Sequence, residues 1–276
     1  MNDLNVATPS ATVKVPQVSI GMPVYNGEKF IHEALDSLLA QTFTDFELIL
    51  SDNASTDKTG EICQEYAAKD ARIRYVRQVE NFGAAENFKF VLDESVGEYF
   101  MWAAHDDRRH CTALERMMEV FSENADVGLV FSDMETKNLL TNSKVYSSCG
   151  YISSTAKNYK KYLFRLLNGC PILIYGLHRR STLKSFELTT YDFMDVHLTH
   201  WYELNSSIKT IPLILYTAGT NGVRKPYSMT GTRLNNSQYL KEEWKLLRQH
   251  FSLFVASVQF LIVTFLAFRN SYHLQK

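Results

Sequence analysis

The chain has 276 residues, 45% of them apolar and 21% charged, which allows one large domain or two small ones with ample core and excludes a largely disordered chain. Twenty-nine basic residues against 30 acidic ones give a net charge of -1, so bulk charge offers nothing to a nucleic acid. The four cysteines, Cys63, Cys111, Cys149 and Cys170, form no C-x-x-C pair, which argues against a zinc ribbon or a thioredoxin-type site and for buried thiols in a reducing compartment.

Residues 1–14 are polar and hold no apolar core, so no signal peptide is expected. Strand and helix signals then alternate. Val18–Met22 is a β-branched run stopped by Pro23, and Phe30–Ala40 repeats apolar residues with a helical period. Glu47–Leu50 reads as a second strand, Glu61–Lys69 as a helix, Ile73–Val76 as a third strand and Ala84–Leu92 as a helix. Tyr99–Ala103 is a fourth strand, Thr112–Glu123 a helix opened by a capping box of Thr112 and Glu115, and Val127–Ser132 a fifth strand. This order predicts an α/β sheet, mixed but mostly parallel, with helices on both faces. The second half is less regular: helices near 157–167 and 195–204, strands at Ile172–His178 and at Ile208–Tyr216 with Pro212 inside it, a polar loop over 221–236, and one long helix or two over 238–268.

Three polar clusters follow three strand ends. They are Pro23-Val24-Tyr25-Asn26-Gly27, then Ser51-Asp52-Asn53-Ala54-Ser55-Thr56-Asp57, then His105-Asp106-Asp107. A parallel sheet puts all three on one rim, where ligands of such sheets sit. Asp57 is explained as an acid at a helix N-terminus. Asp106 and Asp107 are not needed for capping once Thr112 serves, and two adjacent carboxylates repel unless a cation relieves them.

P-V-Y-N-G, then S-D-N-A-S-T-D, then a D-D pair after G-E-Y-F, closely resembles family 2 glycosyltransferases of the GT-A fold over about residues 15–135. The resemblance implies an inverting enzyme that uses a nucleotide-sugar donor and a divalent cation, Mg²⁺ or Mn²⁺. Pro23 and Tyr25 match positions lining the nucleotide base, with the tyrosine able to stack on it. Asp52 matches the carboxylate that accepts the base imide N–H, and Asn26, Asn53 and Asn87 join the donor-binding set. Asp106 matches the ribose-facing position and Asp107 the metal ligand, while His105 replaces the frequent first Asp of that motif. A hard cation prefers such carboxylates and offsets charge on a diphosphate leaving group. Arg108 and Arg109 beside the pair either help neutralise diphosphate or belong to a solvated loop.

The acceptor hydroxyl needs a general base. The family's carboxylate at a helix start matches Asp195, with Asp192 as runner-up. His197 and His200 share a helical face and read as partly exposed rather than metal-binding. Tyr175–Arg180 resembles an acceptor-side segment, from which Arg179 is the candidate contact. UDP is favoured among donors with an imide base, and the implied acceptor is a glycan or lipid-linked hydroxyl of a bacterial surface polysaccharide. The alternatives are a non-catalytic nucleotide-sugar-binding or interaction protein and a sugar-phosphate nucleotidyltransferase. The second would need a Gly-rich phosphate loop where P-V-Y-N-G-E-K-F stands.

The expected organisation is a tail (1–14), a nucleotide-sugar-binding half (15–135), an acceptor-binding half of the same domain (136–236) and a helical end (237–276). Phe251–Phe268 carries no charge over 18 residues, with basic residues on both flanks. At 1.5 Å per residue it reaches about 27 Å, marginal against a bilayer core of about 30 Å. A membrane-associating or dimer-forming helix is therefore expected over a span, with the catalytic part in the cytoplasm or at the inner face of the cell membrane. Deleting residues 238–276 should release the protein from a membrane pellet or split a dimer. Full-length and truncated forms that are both soluble and both monomeric would instead assign the run to the domain's own packing.

Overall fold

The computed structural model describes residues 14–141, 143–147, 171–188, 194–220, 241–242, 244–249 and 256. In chain order these form β1 (Val18–Val24), α1 (Ile31–Leu39), β2 (Phe46–Asp52), α2 (Thr59–Lys69), β3 (Ile73–Arg77), α3 (Ala84–Asp93), β4 (Tyr99–Trp102) and β5 (Arg108–Arg109). There follow α4 (Ala113–Glu123), β6 (Val127–Asn138), β7 (Lys144–Ser147), a 3-10 turn (Pro171–Tyr175), β8 (Leu177–Arg179), two helices (Arg180–Lys184 and Met194–Asn205) and β9 (Ser207–Thr220).

The strands form one sheet in the order β3-β2-β1-β4-β8-β6-β9-β5, with β7 beside β6. β3, β2, β1 and β4 are mutually parallel, and β6 runs parallel to β9. β8 enters antiparallel between β4 and β6. All seven residues of β1 are buried. That is why it reads as a continuous apolar run rather than an alternating one: helices cover both faces. One face packs Ile20, Met22, Leu48 and Leu50 against Leu35, Leu38, Met117 and Phe121 of α1 and α4. The other packs Ile49, Phe100, Trp102 and Phe131 against Val91 of α3 and Leu198 and Tyr202 of the helix Met194–Asn205.

The β1–β4 ladder ends at Gly21 and Trp102. Pro23 lies past that pair, where its missing N–H costs the ladder nothing. Beyond it β1 continues beside β2 as far as Val24 and Asp52, while the chain after β4 turns away. β2 and β3 lie on one side of β1 and β4 on the other, so the gap opens at the reversal of strand order, where open α/β sheets bind ligands.

Three local expectations change. The predicted strand Ile172–His178 is a 3-10 turn followed by the short β8. Pro171 opens the turn, Gly176 N–H closes it on the Leu173 carbonyl at 2.9 Å, and a Cβ on Gly176 would meet the Val130 carbonyl oxygen at 2.7 Å. The strand around Pro212 persists to Thr220 because its register on β6 jumps from Ser132↔Ile211 to Asp133↔Ile214, leaving Pro212 and Leu213 outside the ladder. The Thr112–Glu115 capping box does not form: Thr112 is the N-cap without a side-chain cap bond. Gln41 Oε1 takes the Leu114 N–H at 3.0 Å, and Glu115 accepts from Thr42 Oγ1 at 2.9 Å.

The expected helix over 157–167, the loop over 221–236 and nearly all of Phe251–Phe268 lie outside the described residues. Residues 244–249 are helical, and Leu246, Leu247 and Ala256 are buried with Leu204 and beside Trp201. Among the described residues no helix is long and apolar enough to cross a membrane. The packing predicts a contrast. Leu48→Ala, at a fully buried site, should cost about 2–5 kcal/mol in urea unfolding. Leu213→Ala, at a residue 51% exposed, should stay within about 0.5 kcal/mol.

Candidate functional site

The loops after β1 and β2 are stitched together by side chains that accept or donate across them. Asn26 adopts a positive φ of 51°, a conformation Asn tolerates better than most residues. Its N–H donates to Ser55 Oγ at 2.9 Å, and its Oδ1 accepts the Thr56 N–H at 2.9 Å. Gly27 N–H donates to Thr59 Oγ1 at 2.8 Å and Glu28 N–H to Asp57 Oδ2 at 3.1 Å. Asp57 also accepts the Thr59 N–H at 3.0 Å, as an acid at a helix start should. Burial pushes its carboxyl up, but the Thr59 and Glu28 hydrogen bonds outweigh that and leave it below the ordinary carboxylate range. Asn26 is therefore a framework residue of the rim.

Asp52 is the last residue of β2. It is fully buried, and three protein donors occupy its carboxylate: Ser55 N–H at 2.8 Å, Tyr75 hydroxyl at 3.0 Å and Arg77 Nη1 at 2.6 Å. Arg77 also ties down the Ser55 carbonyl at 2.8 Å. In this arrangement Asp52 organises the β2–α2 loop. Asn53 and Asn87 are nearly buried. Asn53 donates to Asn81 Oδ1 and to the Gly83 carbonyl at 2.8 and 3.0 Å and accepts the Phe82 N–H at 3.1 Å. Asn87 bonds Ser51 twice, at 2.5 Å to its hydroxyl and 2.9 Å to its carbonyl.

The third cluster meets the first through Gly27, where a Cβ would come within 2.8 Å of the His105 ring. Burial lowers the His105 pKa and keeps its imidazole neutral. Burial likewise raises the Asp106 carboxyl. Asp107 is buried more deeply, and desolvation, reinforced by Asp106, pushes its carboxyl up to about 6. Its oxygens are held from β9: the Gly219 N–H donates to Oδ1 at 2.9 Å and the Tyr216 hydroxyl to Oδ2. The next two residues are neither a solvated loop nor free cations. Arg108 pairs with Glu33. Arg109 is buried, lies over the Tyr216 ring at 4.2 Å and donates Nη2 to the Tyr175 carbonyl at 2.5 Å.

These elements enclose a cleft of about 410 Å³ at the β1–β4 gap. Pro23, Tyr25, Asn53, Asn87, Asp106 and Tyr175 are among the residues lining it. Tyr25 is 44% exposed there, with its ring free to receive a planar ligand. Of the expected site residues, the fold brings Pro23, Tyr25, Asn53, Asn87 and Asp106 to one cleft, with Asn26 and Asp107 supporting it.

Arg179 is not part of this cleft. β8 runs antiparallel to β4 and pairs Arg179 with Tyr99, the first residue of β4. Its guanidinium contacts Glu98 at 3.2 Å, the Tyr99 hydroxyl and the Val127 carbonyl, at the opposite end of the sheet. Tyr175, from the same segment, is the residue that reaches the cleft. Asp195 stands in the first turn of the helix Met194–Asn205, and Asp192 lies outside the described residues. His197 and His200 are buried, not partly exposed; His197 packs against the Phe186 ring at 5.4 Å.

Among the described residues no three His, Cys, Asp or Glu side chains converge on a metal position. The pair Asp106–Asp107 nonetheless suits a hard cation that takes one or two carboxylates and completes its shell with phosphate and water. Both carboxyls are pushed up by burial, and a carboxylate accepts at about four lone-pair sites, of which Tyr216 and Gly219 take two on Asp107. Tyr216 and Gly219 carried no motif, and only the sheet register brings them to the cluster; Tyr175 belongs to the segment from which Arg179 was the expected contact.

Comparison with known proteins identifies the fold and the family. An uncharacterized glycosyltransferase of Rickettsia typhi is 34% identical over 170 residues, 58% of this chain and 50% of that protein. The glycosyltransferase EpsJ of Bacillus subtilis is 38% identical over 110 residues, 40% of this chain and 32% of its own. The chain thus spans half or less of these relatives. Among solved structures, S. aureus TarS 1–349 in complex with UDP-GlcNAc superimposes with a TM-score of 0.61 at 18% identity, covering 84% of this chain and 65% of that one. A Pyrobaculum calidifontis mannosyltransferase in complex with GDP-Man and Mn²⁺ gives 0.54 at 17%, covering 86% and 64%. At such identity the likeness establishes the fold, which is GT-A. The sequence profile of glycosyl transferase family 2 matches residues 19–181, more than half of the chain, and the chain belongs to that family.

Proposed function

We propose that this domain is an inverting glycosyltransferase that moves a sugar from a nucleoside-diphosphate donor, UDP in first place, to a hydroxyl of a glycan or lipid-linked acceptor. The observation that carries the reading is the cleft at the β1–β4 gap, with an exposed tyrosine ring, the half-buried Asp106 and the buried Asp107 among the groups around it. UDP is favoured because TarS, a neighbour in fold, was solved with UDP-GlcNAc and with UDP. The acceptor class rests on the family alone.

In this reading Tyr25 stacks on the base, with Pro23 and Asn53 beside it. Asp106 faces the ribose, and Asp107 holds a divalent cation. That cation, when bound, stabilises the diphosphate as the glycosidic bond breaks. Asp195 takes the proton from the acceptor hydroxyl as its oxygen attacks the anomeric carbon on the face opposite the diphosphate, so a single displacement inverts that carbon.

Screening nucleotide sugars for hydrolysis and for thermal-shift stabilisation with Mn²⁺ tests the reading, and silence toward every donor would remove it. Asp107→Asn should abolish transfer and the Mn²⁺-dependent part of UDP affinity in isothermal titration. Equal affinity in wild type and variant would sink the metal assignment. Asp195→Asn should lower turnover by roughly 10²-fold or more with UDP affinity nearly unchanged; an inactive Asp192→Asn beside an active Asp195→Asn moves the base by one turn. Proton NMR of the product should show the anomer inverted.

The geometry also separates Tyr175 from Arg179. Tyr175→Ala, at the cleft wall, should weaken UDP-sugar binding by about tenfold, the scale of losing one aromatic contact. Arg179→Ala should leave it within about twofold, since the side chain lies at the far end of β4. The opposite order would return Arg179 to the site.

A further inference from the structure

We infer that Tyr216 is a positioning residue for Asp107: its buried hydroxyl, together with the Gly219 N–H, sets the carboxylate that receives the divalent cation. The inference rests on the metal-assisted reading above and goes beyond it, because neither β9 residue belongs to a donor-binding motif.

Tyr216 is only 1% exposed, and Phe would fill the same volume. What Tyr adds is an O–H donor, and that donor is directed at Asp107 Oδ2, 109 residues away in sequence. Gly219, on the same strand, supplies its N–H to Oδ1 at 2.9 Å. Each carboxylate oxygen therefore has one fixed donor, and together these set the plane of the group. The constraint on position 219 is severe, since a Cβ there would lie 2.1 Å from the Asp106 carbonyl oxygen. No side chain fits without separating β9 from the 105–107 loop.

The strand itself is immobilised. Tyr216 pairs with Met134 of β6 and with Arg109 of β5. The Arg109 guanidinium covers one face of the Tyr216 ring at 4.2 Å, and the Tyr175 ring stacks near it at 6.0 Å between centroids. A phenol clamped in this way has little freedom to follow another acceptor. Partners that orient a metal ligand in this manner commonly change metal affinity by roughly 10–100-fold when removed.

The test is Tyr216→Phe, with Mn²⁺ binding to the UDP-loaded protein followed by the electron paramagnetic resonance of free Mn²⁺, and UDP binding in EDTA followed by calorimetry. Positioning predicts a Mn²⁺ affinity lowered about tenfold or more, with UDP affinity in EDTA unchanged. It also predicts that adding Tyr216→Phe to Asp107→Asn changes Mn²⁺ binding no further. An unchanged Mn²⁺ affinity overturns the inference while leaving the metal-assisted reading intact. Equal losses with and without Mn²⁺, or a variant that no longer folds, assign the hydroxyl to stability and overturn it as well. A wild-type protein whose UDP affinity is indifferent to Mn²⁺ removes both the metal-assisted reading and the inference built on it.

Discussion

β1 and β4 pair only as far as Gly21 and Trp102, with a last hydrogen bond from the Ala103 N–H to the Gly21 carbonyl at 2.9 Å, and the separation beyond creates the space on which the site depends. Up to that point both strands are buried between helices and have no room for a ligand. Past it β1 stays with β2 while the chain after β4 turns toward β9, so two loops face each other across a gap that neither closes. Trp102 secures the turning point: its ring packs edge-on against Phe100 and His178, and its Nε1 donates to the Phe88 carbonyl at 3.0 Å.

A cleft at strand ends exposes backbone groups that the sheet no longer satisfies, and polar side chains in and near the first two motifs meet that demand. Ser55, Thr59, Asp57, Asn26, Asn53 and Asn87 are spent largely on N–H and C=O groups of neighbouring loops. Residues that look like ligand contacts in the sequence are thus partly the scaffold that keeps the ligand wall in place. Asp52 illustrates this most plainly, since Ser55, Tyr75 and Arg77 all donate to its carboxylate.

The acidic pair carries the opposite balance. Asp107 is buried beside another carboxylate, and its folded-state carboxyl near 6 lies above that of an unfolded aspartate. In the metal-free protein the stability linked to this group is complete below the ordinary carboxylate range and is lost as pH rises through about 6, because the folded state holds a proton the unfolded chain has released. Charging this carboxyl beside Asp106 is costly, and a cation would relieve that cost. Tyr216, Gly219 and Arg109 hold the group in place meanwhile.

The α/β alternation, the parallel half of the sheet and the rim position of all three motifs were legible in the sequence, because buried strands and amphipathic helices leave periodic apolar patterns. Pro23, Tyr25, Asn53, Asn87 and Asp106, which line the cleft, were singled out by the resemblance to family 2 glycosyltransferases; all but Asn87 sit in a polar cluster that follows a strand end. What no linear pattern carried was the direction in which β8 inserts. An antiparallel β8 sends Arg179 to the start of β4 and leaves Tyr175 at the cleft, the reverse of the reading from the segment alone. Nor could spacing reveal that Asp52 would meet Arg77, or that Tyr216 and Gly219 would meet Asp107, because those partners lie 25 to 112 residues apart. Local sequence determined the elements and their polar ends; long-range strand register decided which of those ends face a ligand and which face one another.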